Sequence, residues 1–190
     1  MTVEKTRLPG VVAITPQRYR DERGAFEELW RAERYAEAAG LPERFVQDNL
    51  SRSRPGVLRG LHYQWPAPQG KLVSVVAGRV FDVAVDLRRG AETYGRWVGV
   101  ELSAETGRQL YVPEGFAHGF VALGRETATV LYKCTAYYAP EAEHTLRWDD
   151  PAVGVEWPMP SGVEDAPILS AKDAAAPTLA ETPDTALPSV

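Results

Sequence analysis

Histidine side chains are the most versatile acid–base groups in this sequence of 190 residues, which contains three of them. His62 lies in the glycine-containing apolar stretch 59–64, and His118 lies in a similar stretch at 115–120. Because imidazole titrates near neutral pH, either side chain could act as a general base or a general acid. The structural alternative is an imidazole of the core whose nitrogens are satisfied by hydrogen bonds. His144 follows two nearby glutamates and is predicted to be a solvated loop residue.

The spacing of these histidines does not favour a metal centre. An open Zn, Fe or Mn site on a small β-barrel needs two or three histidines and a carboxylate that converge. Neither His62 nor His118 belongs to a His-x-His pair, and Cys134 is the only cysteine in the chain. We therefore predict proton-transfer chemistry that uses neither a metal nor another cofactor.

Tyr132 could be the acid that complements a histidine base. Alternation along 127–135 places its side chain on the same face as Val130 and Cys134, which predicts that the ring points inward. The alternative is a tyrosine that packs for its apolar body and has its hydroxyl bonded to backbone.

Polar side chains in predicted strands could recognise a phosphorylated ligand. Arg59 and Lys71 lie in such strands, where cations suit a phosphate as well as they suit a surface ladder of salt bridges. Gln47, Asp48 and Asn49 offer amide and carboxylate groups for a base or a sugar, although turn capping at a strand end would also explain them.

The elements that must position these residues are mostly short β-strands. The run Val80–Leu87 alternates apolar residues with Asp82, Ala84 and Asp86, which predicts a half-buried strand. Other β-rich runs, separated by turn residues, cover 11–14, 45–49, 57–64, 71–76, 97–102, 109–112 and 127–138. Many short strands without intervening helices favour an antiparallel sandwich or barrel, and we predict a β-barrel.

One helix is predicted over 31–39 as a peripheral cover, because Gly40 and Pro42 follow it as a stop signal. Nothing in the sequence divides the chain, so we expect one domain over 1–177. Residues 178–190 contain few large apolar groups, and we expect a mobile tail there.

Composition excludes several classes of partner. There are 21 basic and 26 acidic residues, and a net charge of −5 disfavours binding to nucleic acid or to anionic lipid. No apolar run approaches the roughly 20 residues that cross a bilayer. The polar N-terminus and the single cysteine lead us to expect a cytoplasmic protein.

Eight segments, in order, closely resemble the dTDP-4-dehydrorhamnose 3,5-epimerases. They are 21–24, 45–49, 57–64, 70–73, 80–86, 112–120, 131–133 and 169–174, within a resemblance that extends from Lys5 to Pro177. The resemblance implies a homodimeric, metal-independent enzyme with a cupin-like antiparallel jelly-roll barrel and a few short peripheral helices. Its implied substrate is a dTDP-4-keto-6-deoxyhexose.

The resemblance also implies roles for individual residues. His62 matches the general base, Asp173 its orienting partner, Tyr132 the general acid, and Lys71 a cation near the 4-keto oxygen. The implied substrate-binding residues are Arg59, Gln47, Asp48, Asn49, His118, Tyr138, Glu143 and Lys172. Three more, Arg23, Phe26 and Glu28, are implied to come from the neighbouring subunit.

Two features of the sequence depart from simple expectation. Strict alternation places Arg59 and His62 on opposite faces of one strand, whereas the resemblance puts both in one site, so we expect a β-bulge at Gly60. Ala25 stands where relatives often carry an aromatic residue, which could loosen the nucleotide pocket.

Three alternatives to a 3,5-epimerase stay open at this point. An epimerase that inverts only one carbon would share nearly all of these motifs. A ketoisomerase of the same fold would move the carbonyl instead of inverting a centre. A non-catalytic cupin that binds sugar nucleotides would retain the binding residues without needing a base or an acid.

Overall fold

The computed structural model describes residues 1–160 and 166–189, and β-strands dominate it. The strands are β1 (Thr2–Lys5), β2 (Val12–Thr15), β3 (Arg18–Asp21), β4 (Gly24–Glu27), β5 (Gln47–Ser53), β6 (Leu58–Gln64), β7 (Lys71–Ala77), β8 (Arg79–Asp86), β9 (Trp97–Ser103), β10 (Gln109–Val112), β11 (Phe116–Leu123), β12 (Ala128–Cys134) and β13 (Glu143–Thr145). The α-helices are α1 (Ala32–Ala39) and α2 (Ala171–Ala174), and single 3₁₀ turns cover Pro140–Ala142 and Asp184–Ala186.

The strands form two larger antiparallel sheets and one hairpin. The first sheet has six strands in the order β1-β2-β10-β7-β12-β5, and the second has five in the order β13-β6-β11-β8-β9. Within residues 1–160 and 166–189, strands β3 and β4 pair only with each other. Val75 and Val130 of the first sheet pack with Val80, Ala84 and Phe120 of the second, so the two sheets share one hydrophobic core. The predicted mainly β, antiparallel architecture is confirmed.

Strand β8 is buried on both faces, so the prediction of a half-buried strand was wrong. The side chains of Asp82 and Asp86 are 0% exposed, because β8 lies between β11 and β9 and is covered on both sides. Asp82 bonds to His118, and Asp86 accepts from Arg88 and Thr93. Buried carboxylates need such partners, and a polar face therefore does not have to be a solvent face.

Strand β11 was absent from the sequence-based prediction. Every residue of Phe116–Leu123 is buried, since β11 lies in the middle of the second sheet. A strand that is buried on both faces shows no alternation that could identify it. Strand β12 also ends at Cys134, earlier than the predicted end at Tyr138.

Helix α1 covers the outer face of the first sheet, as expected. Gly40 ends it in the left-handed conformation with φ 66°, and its N–H donates to Ala36 O. Tyr35 is almost fully buried and packs with Val12 and Tyr111 of the sheet. Its hydroxyl lies 2.8 Å from Gln109 Oε1.

The C-terminal segment 178–189 follows the surface of the second sheet. Leu179 donates its backbone N–H to the Asp150 carboxylate, Asp184 pairs with Arg89, and Leu187 is buried beside Val85. Mobility of the tail 178–190 stays a prediction, and Val190 lies outside the described residues. Among the residues that the structure describes, no helix combines the length and apolar character needed to cross a bilayer.

Candidate active site

A cavity of about 360 Å³ opens between the two sheets and brings most of the predicted site residues together. Strands β5, β7 and β12 contribute from the first sheet, and β6, β11 and β13 contribute from the second. The lining residues are Gln47, Asn49, Ser51, Arg59, His62, Tyr63, Gln64, Gln69, Lys71, His118, Phe120, Tyr132, Tyr138 and Glu143.

A bulge in β6 allows Arg59 and His62 to line the same cavity. His62 pairs with His118 of β11, and Arg59 pairs with Phe120, so β6 contains one residue more than β11 over this interval. An extra residue reverses the alternation of side chains beyond it. The bulge expected at Gly60 is confirmed.

Gly60 is required at this bulge for two reasons. Its φ is +126°, a conformation that residues with a Cβ rarely adopt. A Cβ at this position would lie 2.6 Å from the Cα of Gly119 on β11, which is closer than two carbon atoms can pack. The glycine therefore lets two backbones touch and turns His62 toward the cavity.

His62 is oriented by a carboxylate from α2. Its Nε2 lies 2.6 Å from Asp173 Oδ1, and the Asp173 side chain is only 4% exposed. Ser170 caps α2 by accepting from the backbone N–H of Asp173 at 3.1 Å. Burial opposes ionisation of Asp173, but hydrogen bonds and the charge of His62 outweigh it and lower the pKa of the carboxyl. An ionised Asp173 can thus stabilise the imidazolium that forms when His62 takes a proton.

Lys71 places a buried amine next to the base. Its side chain is buried in β7, and its Nζ donates to the backbone carbonyl of His62 at 3.4 Å. Burial lowers the pKa of Lys71, while electrostatic interactions with Cys134, Asp82 and Glu143 oppose the shift. A desolvated ammonium acts strongly on any negative charge that develops in the cavity.

His118 lies directly across the strand pair from His62 and carries its own carboxylate. Its Nε2 lies 3.0 Å from both oxygens of Asp82, and both side chains are buried. His118 is thus both a satisfied imidazole of the interior and a lining residue of the cavity. The hydrogen bonds that the structural interpretation requires are present, and the same side chain lines the cavity, as the functional interpretation requires.

Tyr132 faces inward from β12, as its alternation with Val130 predicts. Its ring packs against the shared core while it lines the cavity. Burial is the main cause that raises the pKa of Tyr132, with a smaller contribution from Cys134 and an opposing one from Arg59. The phenol therefore keeps its proton at neutral pH and is available as a hydrogen-bond or proton donor.

Charged and polar groups ring the mouth of the cavity. The Tyr138 hydroxyl donates to Glu143 Oε2 at 3.1 Å, and Lys172 Nζ lies 2.6 Å from the same oxygen. Burial opposes ionisation of Glu143, but the bonds from Lys172 and Tyr138 prevail and lower its pKa. Gln47 donates to Asn49 Oδ1 at 3.0 Å, which fixes these neighbouring amides.

Arg59 is held at the cavity by β5. Its Nε donates to Ser53 Oγ at 2.9 Å, and a terminal nitrogen donates to the Arg52 carbonyl at 3.1 Å. These bonds involve two of the three guanidinium nitrogens and hold the group beside the cavity. A fixed guanidinium suits a phosphate oxygen, to which it can donate two parallel hydrogen bonds.

Asp48 is not among the residues that line the cavity. It alternates with Gln47 and Asn49 along β5, and its carboxylate instead accepts from Lys133 Nζ at 2.8 Å on the outer face of the first sheet. Successive side chains of a strand point to opposite faces of the sheet, so Asp48 lies on the face opposite to that of Gln47 and Asn49.

The residues predicted to come from another subunit also lie outside the cavity of their own chain. Arg23 pairs with Asp21 on the β3–β4 hairpin, and Phe26 of that hairpin is 68% exposed. Glu28 follows the hairpin and pairs with Arg34 of α1. None of these side chains contributes to the lining of its own cavity.

Sequence reasoning missed five lining residues. Three could have been found by a period of two, because Ser51 follows Asn49, Gln64 follows His62 and Phe120 follows His118. Tyr63 breaks that period, and Gln69 lies in a loop, so no sequence pattern identifies them.

Comparisons with known proteins agree with this geometry. The family model for dTDP-4-dehydrorhamnose 3,5-epimerase matches residues 5–181. A dTDP-4-dehydrorhamnose 3,5-epimerase from Salmonella typhimurium is 52% identical over 180 residues, which cover 94% of this chain and 96% of that protein. An epimerase from Legionella pneumophila, solved with dTDP-4-keto-L-rhamnose, is 50% identical with a TM-score of 0.94 and covers 100% of this chain and 98% of its own.

A more distant relative has a narrower activity in its name. A 3'-monoepimerase from Streptomyces bikiniensis, solved with dTDP-quinovose, is 36% identical with a TM-score of 0.83, and the match covers 92% of this chain and 86% of that one. The matched segment of the family model includes every residue assembled around the cavity. This chain therefore belongs to the dTDP-4-dehydrorhamnose 3,5-epimerase family.

Proposed function

We propose that this protein epimerises carbons 3 and 5 of dTDP-4-keto-6-deoxy-D-glucose, in the biosynthesis of a deoxysugar of the dTDP-L-rhamnose type. One observation carries the proposal: a single cavity is lined by a histidine that pairs with an aspartate, by a buried lysine and by a tyrosine. The similarity to an epimerase solved with dTDP-4-keto-L-rhamnose supports the choice of substrate.

The 4-keto group makes such a reaction feasible without a cofactor. Carbons 3 and 5 both neighbour the carbonyl, so loss of a proton from either leaves an electron pair that delocalises onto the oxygen as an enolate. In the proposed mechanism His62 takes this proton, and the Lys71 ammonium stabilises the oxyanion. Removing one preorganised donor of this kind typically lowers the rate by about 10²–10³.

Inversion requires a second group on the other face of the sugar. After His62 has removed the proton from one side, the Tyr132 hydroxyl delivers a proton to the opposite side. His62 then releases its proton to solvent, and the phenolate is reprotonated from solvent. The raised pKa of Tyr132 supports this assignment, because the group enters the reaction protonated.

The remaining cavity residues are proposed to bind the nucleotide and the sugar. Arg59 suits the diphosphate, and His118 can accept a hydrogen bond from a sugar hydroxyl while Asp82 holds its ring. The other proposed contacts come from Gln47, Asn49, Tyr138, Glu143 and Lys172, all of which lie in or at the mouth of the cavity. Asp48, which bonds to Lys133, is proposed to act only indirectly in its own subunit.

We also propose that the active form is a homodimer in which Arg23, Phe26 and Glu28 complete the site of the neighbouring subunit. The support is their position on and after a hairpin that stands outside its own cavity, with the ring of Phe26 exposed. An exposed aromatic side chain is typical of a contact surface.

We further propose a strand topology for the domain and a cellular location for the protein. Two antiparallel sheets around one core are what a cupin-like jelly roll requires, and we propose that topology for the domain 1–177. A cytoplasmic location is supported by the single, buried Cys134, which needs no oxidising compartment.

A second candidate function is epimerisation at one carbon only, which the similarity to a 3'-monoepimerase favours. Incubation with dTDP-4-keto-6-deoxyglucose in D₂O, followed by NMR, separates the possibilities. A 3,5-epimerase incorporates deuterium at both carbons with inversion, whereas a monoepimerase labels and inverts one. A carbonyl at carbon 3 of the product would identify a ketoisomerase, and no labelling despite nucleotide binding would identify a non-catalytic binding protein.

A further inference from the structure

The loop that follows β12 forms one wall of the cavity. This rim loop, residues 135–139, connects Cys134 to the 3₁₀ turn at Pro140 and carries Tyr138. The ring of Tyr138 lines the cavity, and its hydroxyl donates to Glu143. The position of the rim loop therefore determines the shape of the cavity mouth.

Thr135, the first residue of the rim loop, donates its backbone N–H to the Gly70 carbonyl at 3.0 Å, and glutamine side chains hold the backbone of the residues that follow it. Gln69 Nε2 donates to the Ala136 carbonyl at 2.7 Å, and Gln47 Oε1 accepts from the Tyr138 N–H at 2.9 Å. Gln64 makes two bonds, accepting from the Ala139 N–H at 3.0 Å and donating to the Tyr137 carbonyl at 3.3 Å. Backbone groups near a protein interior need such partners, and here three amides supply them.

Gln64 is the most constrained of the three glutamines. It is 5% exposed, and its Nε2 also donates to the Ala67 carbonyl at 2.9 Å, so it ties the rim loop to a second loop. Both N–H groups of its amide and its carbonyl oxygen are therefore committed to backbone. Gln64 follows His62 by two residues in β6 and shares its face, but it has no donor left for a substrate.

We infer that Gln64 is a positioning residue for substrate affinity. By fixing the rim loop it keeps the Tyr138 ring against the cavity and the Tyr138 hydroxyl on Glu143, and it takes no part in proton transfer. The identity of the ligand rests on the proposed function, whereas the mechanical role of Gln64 rests on the contacts alone.

The substitution Gln64→Glu tests this role with little change in size. A carboxylate can still accept from Ala139, but it cannot donate to the Tyr137 and Ala67 carbonyls, which it instead repels. We expect loss of these bonds to raise KM about tenfold, which corresponds to about 1.4 kcal/mol. We expect kcat to change less than about twofold, because the substitution does not alter the reacting groups.

Binding of dTDP alone, measured by calorimetry, separates this inference from the proposed function. We expect Gln64→Glu to weaken dTDP binding about tenfold, whether or not the protein turns over the proposed substrate. An unchanged dissociation constant in a variant with a native circular dichroism spectrum would overturn the inference. Absence of turnover with normal dTDP binding in the parent protein would instead contradict the proposed function.

Combination with Tyr138→Ala shows whether Gln64 acts through the rim loop. In that background Gln64→Glu should weaken dTDP binding by less than about twofold, because the wall that it positions is already gone. Two fully additive losses would contradict the inference, as would a loss confined to kcat. The matched control is Gln17→Glu, an exposed glutamine that donates only to the Arg18 carbonyl, and it should leave both constants unchanged.

If Gln64→Glu does not fold, Gln69→Glu provides the second variant. It removes the single bond to Ala136 on the same loop and should weaken dTDP binding in the same direction but by less. No weakening in that variant would count against a rim loop held by glutamine side chains.

Discussion

His62 and Tyr132 lie in one cavity but are proposed to do different parts of the same reaction. Replacement of His62 by Asn should abolish exchange of substrate hydrogen with solvent deuterium, with a loss of about 10²–10⁴ in rate, because no base remains. Tyr132→Phe should retain exchange but lose inversion, since His62 can return a proton to the face that it came from. NMR of the substrate and product in D₂O measures both quantities in one sample.

Equal loss of exchange and inversion in Tyr132→Phe, with nucleotide binding intact, would contradict this division of roles. Tyr132 would then be assigned to orienting the substrate or stabilising the enolate.

Lys71 is expected to lower stability while it supports activity. Burial lowers the pKa of Lys71 from the ordinary 10.5, because the charged form is poorly solvated in the folded protein. The cost to the free energy of unfolding is full at pH values below the lowered pKa. It disappears as the pH rises toward 10.5, where the unfolded protein also loses this proton. Lys71→Met should therefore raise the melting temperature at pH 7, by about 2–4 °C for each kcal/mol gained, while the rate falls about 10²–10³-fold.

The difference in melting temperature between Lys71→Met and the parent protein should shrink in alkaline buffer. Calorimetry across pH 7 to 10 gives this measurement, and a less stable variant at pH 7 would show that Lys71 is stabilised by its neighbours.

We also predict that the activity of this protein requires no metal. His62 and His118 each direct Nε2 to an aspartate, which leaves two separate hydrogen-bonded pairs instead of a shared ligand set. Dialysis against EDTA should leave turnover unchanged. Loss of activity that Zn, Fe or Mn restores would contradict the proton-transfer mechanism.

Individual site residues could be predicted where a short pattern fixed their environment. The inward direction of Tyr132 followed from alternation with Val130. The bulge at Gly60 followed from alternation together with the family resemblance, which puts Arg59 and His62 in one site. The bond from His62 to Asp173 joins residues 111 positions apart, and no local pattern encodes such a contact. It was anticipated only through resemblance to a known family.

The bulge in β6 makes a testable prediction at the scale of an element. Gly60→Ala combines an unfavourable φ with a clash against Gly119, and we expect it to destabilise the protein by more than the roughly 1–3 kcal/mol of backbone strain alone. Gly24 offers a matched control, since its φ is +131° and a methyl group added there would meet no atom within 4 Å. Urea unfolding of both alanine variants separates the clash from the strain.

A similar loss of stability in both variants would show that the clash with Gly119 relaxes. A larger loss in Gly60→Ala, accompanied by loss of activity, is the expected result.

Elements were predictable where local sequence signals mark their ends or where one face is exposed to solvent and the other is buried. Helix α1 and strand β10 were found with nearly correct bounds, because Gly40 and the turns around 109–112 mark their ends. Strand β8 was found with the wrong exposure, and β11 was missed, because coverage on both sides is decided by distant parts of the chain. The C-terminal residues that cover β8 carry no local signal of that contact.

The whole molecule is expected to function only as a pair. A mixture of inactive Arg23→Ala and inactive His62→Ala proteins should recover activity after subunit exchange, because one site of each mixed dimer then contains both native residues. At a 1:1 ratio with free exchange, about a quarter of all sites should be complete. Activity and native mass spectrometry of the mixture check this expectation.

No recovery after confirmed subunit exchange would contradict the contribution of the hairpin to the neighbouring site. A monomeric protein with full activity would also exclude it.

The position of Asp173 in the chain has a consequence for how the protein is made. Strands, cavity and base are all encoded before residue 150, but the carboxylate that holds His62 is supplied by α2, which is synthesised after them. Domains generally begin to fold from the N-terminus while translation continues. Ribosome-bound chains can therefore form the sheets and still be inactive, and a premature stop codon at any position up to Asp173 removes the partner of the base.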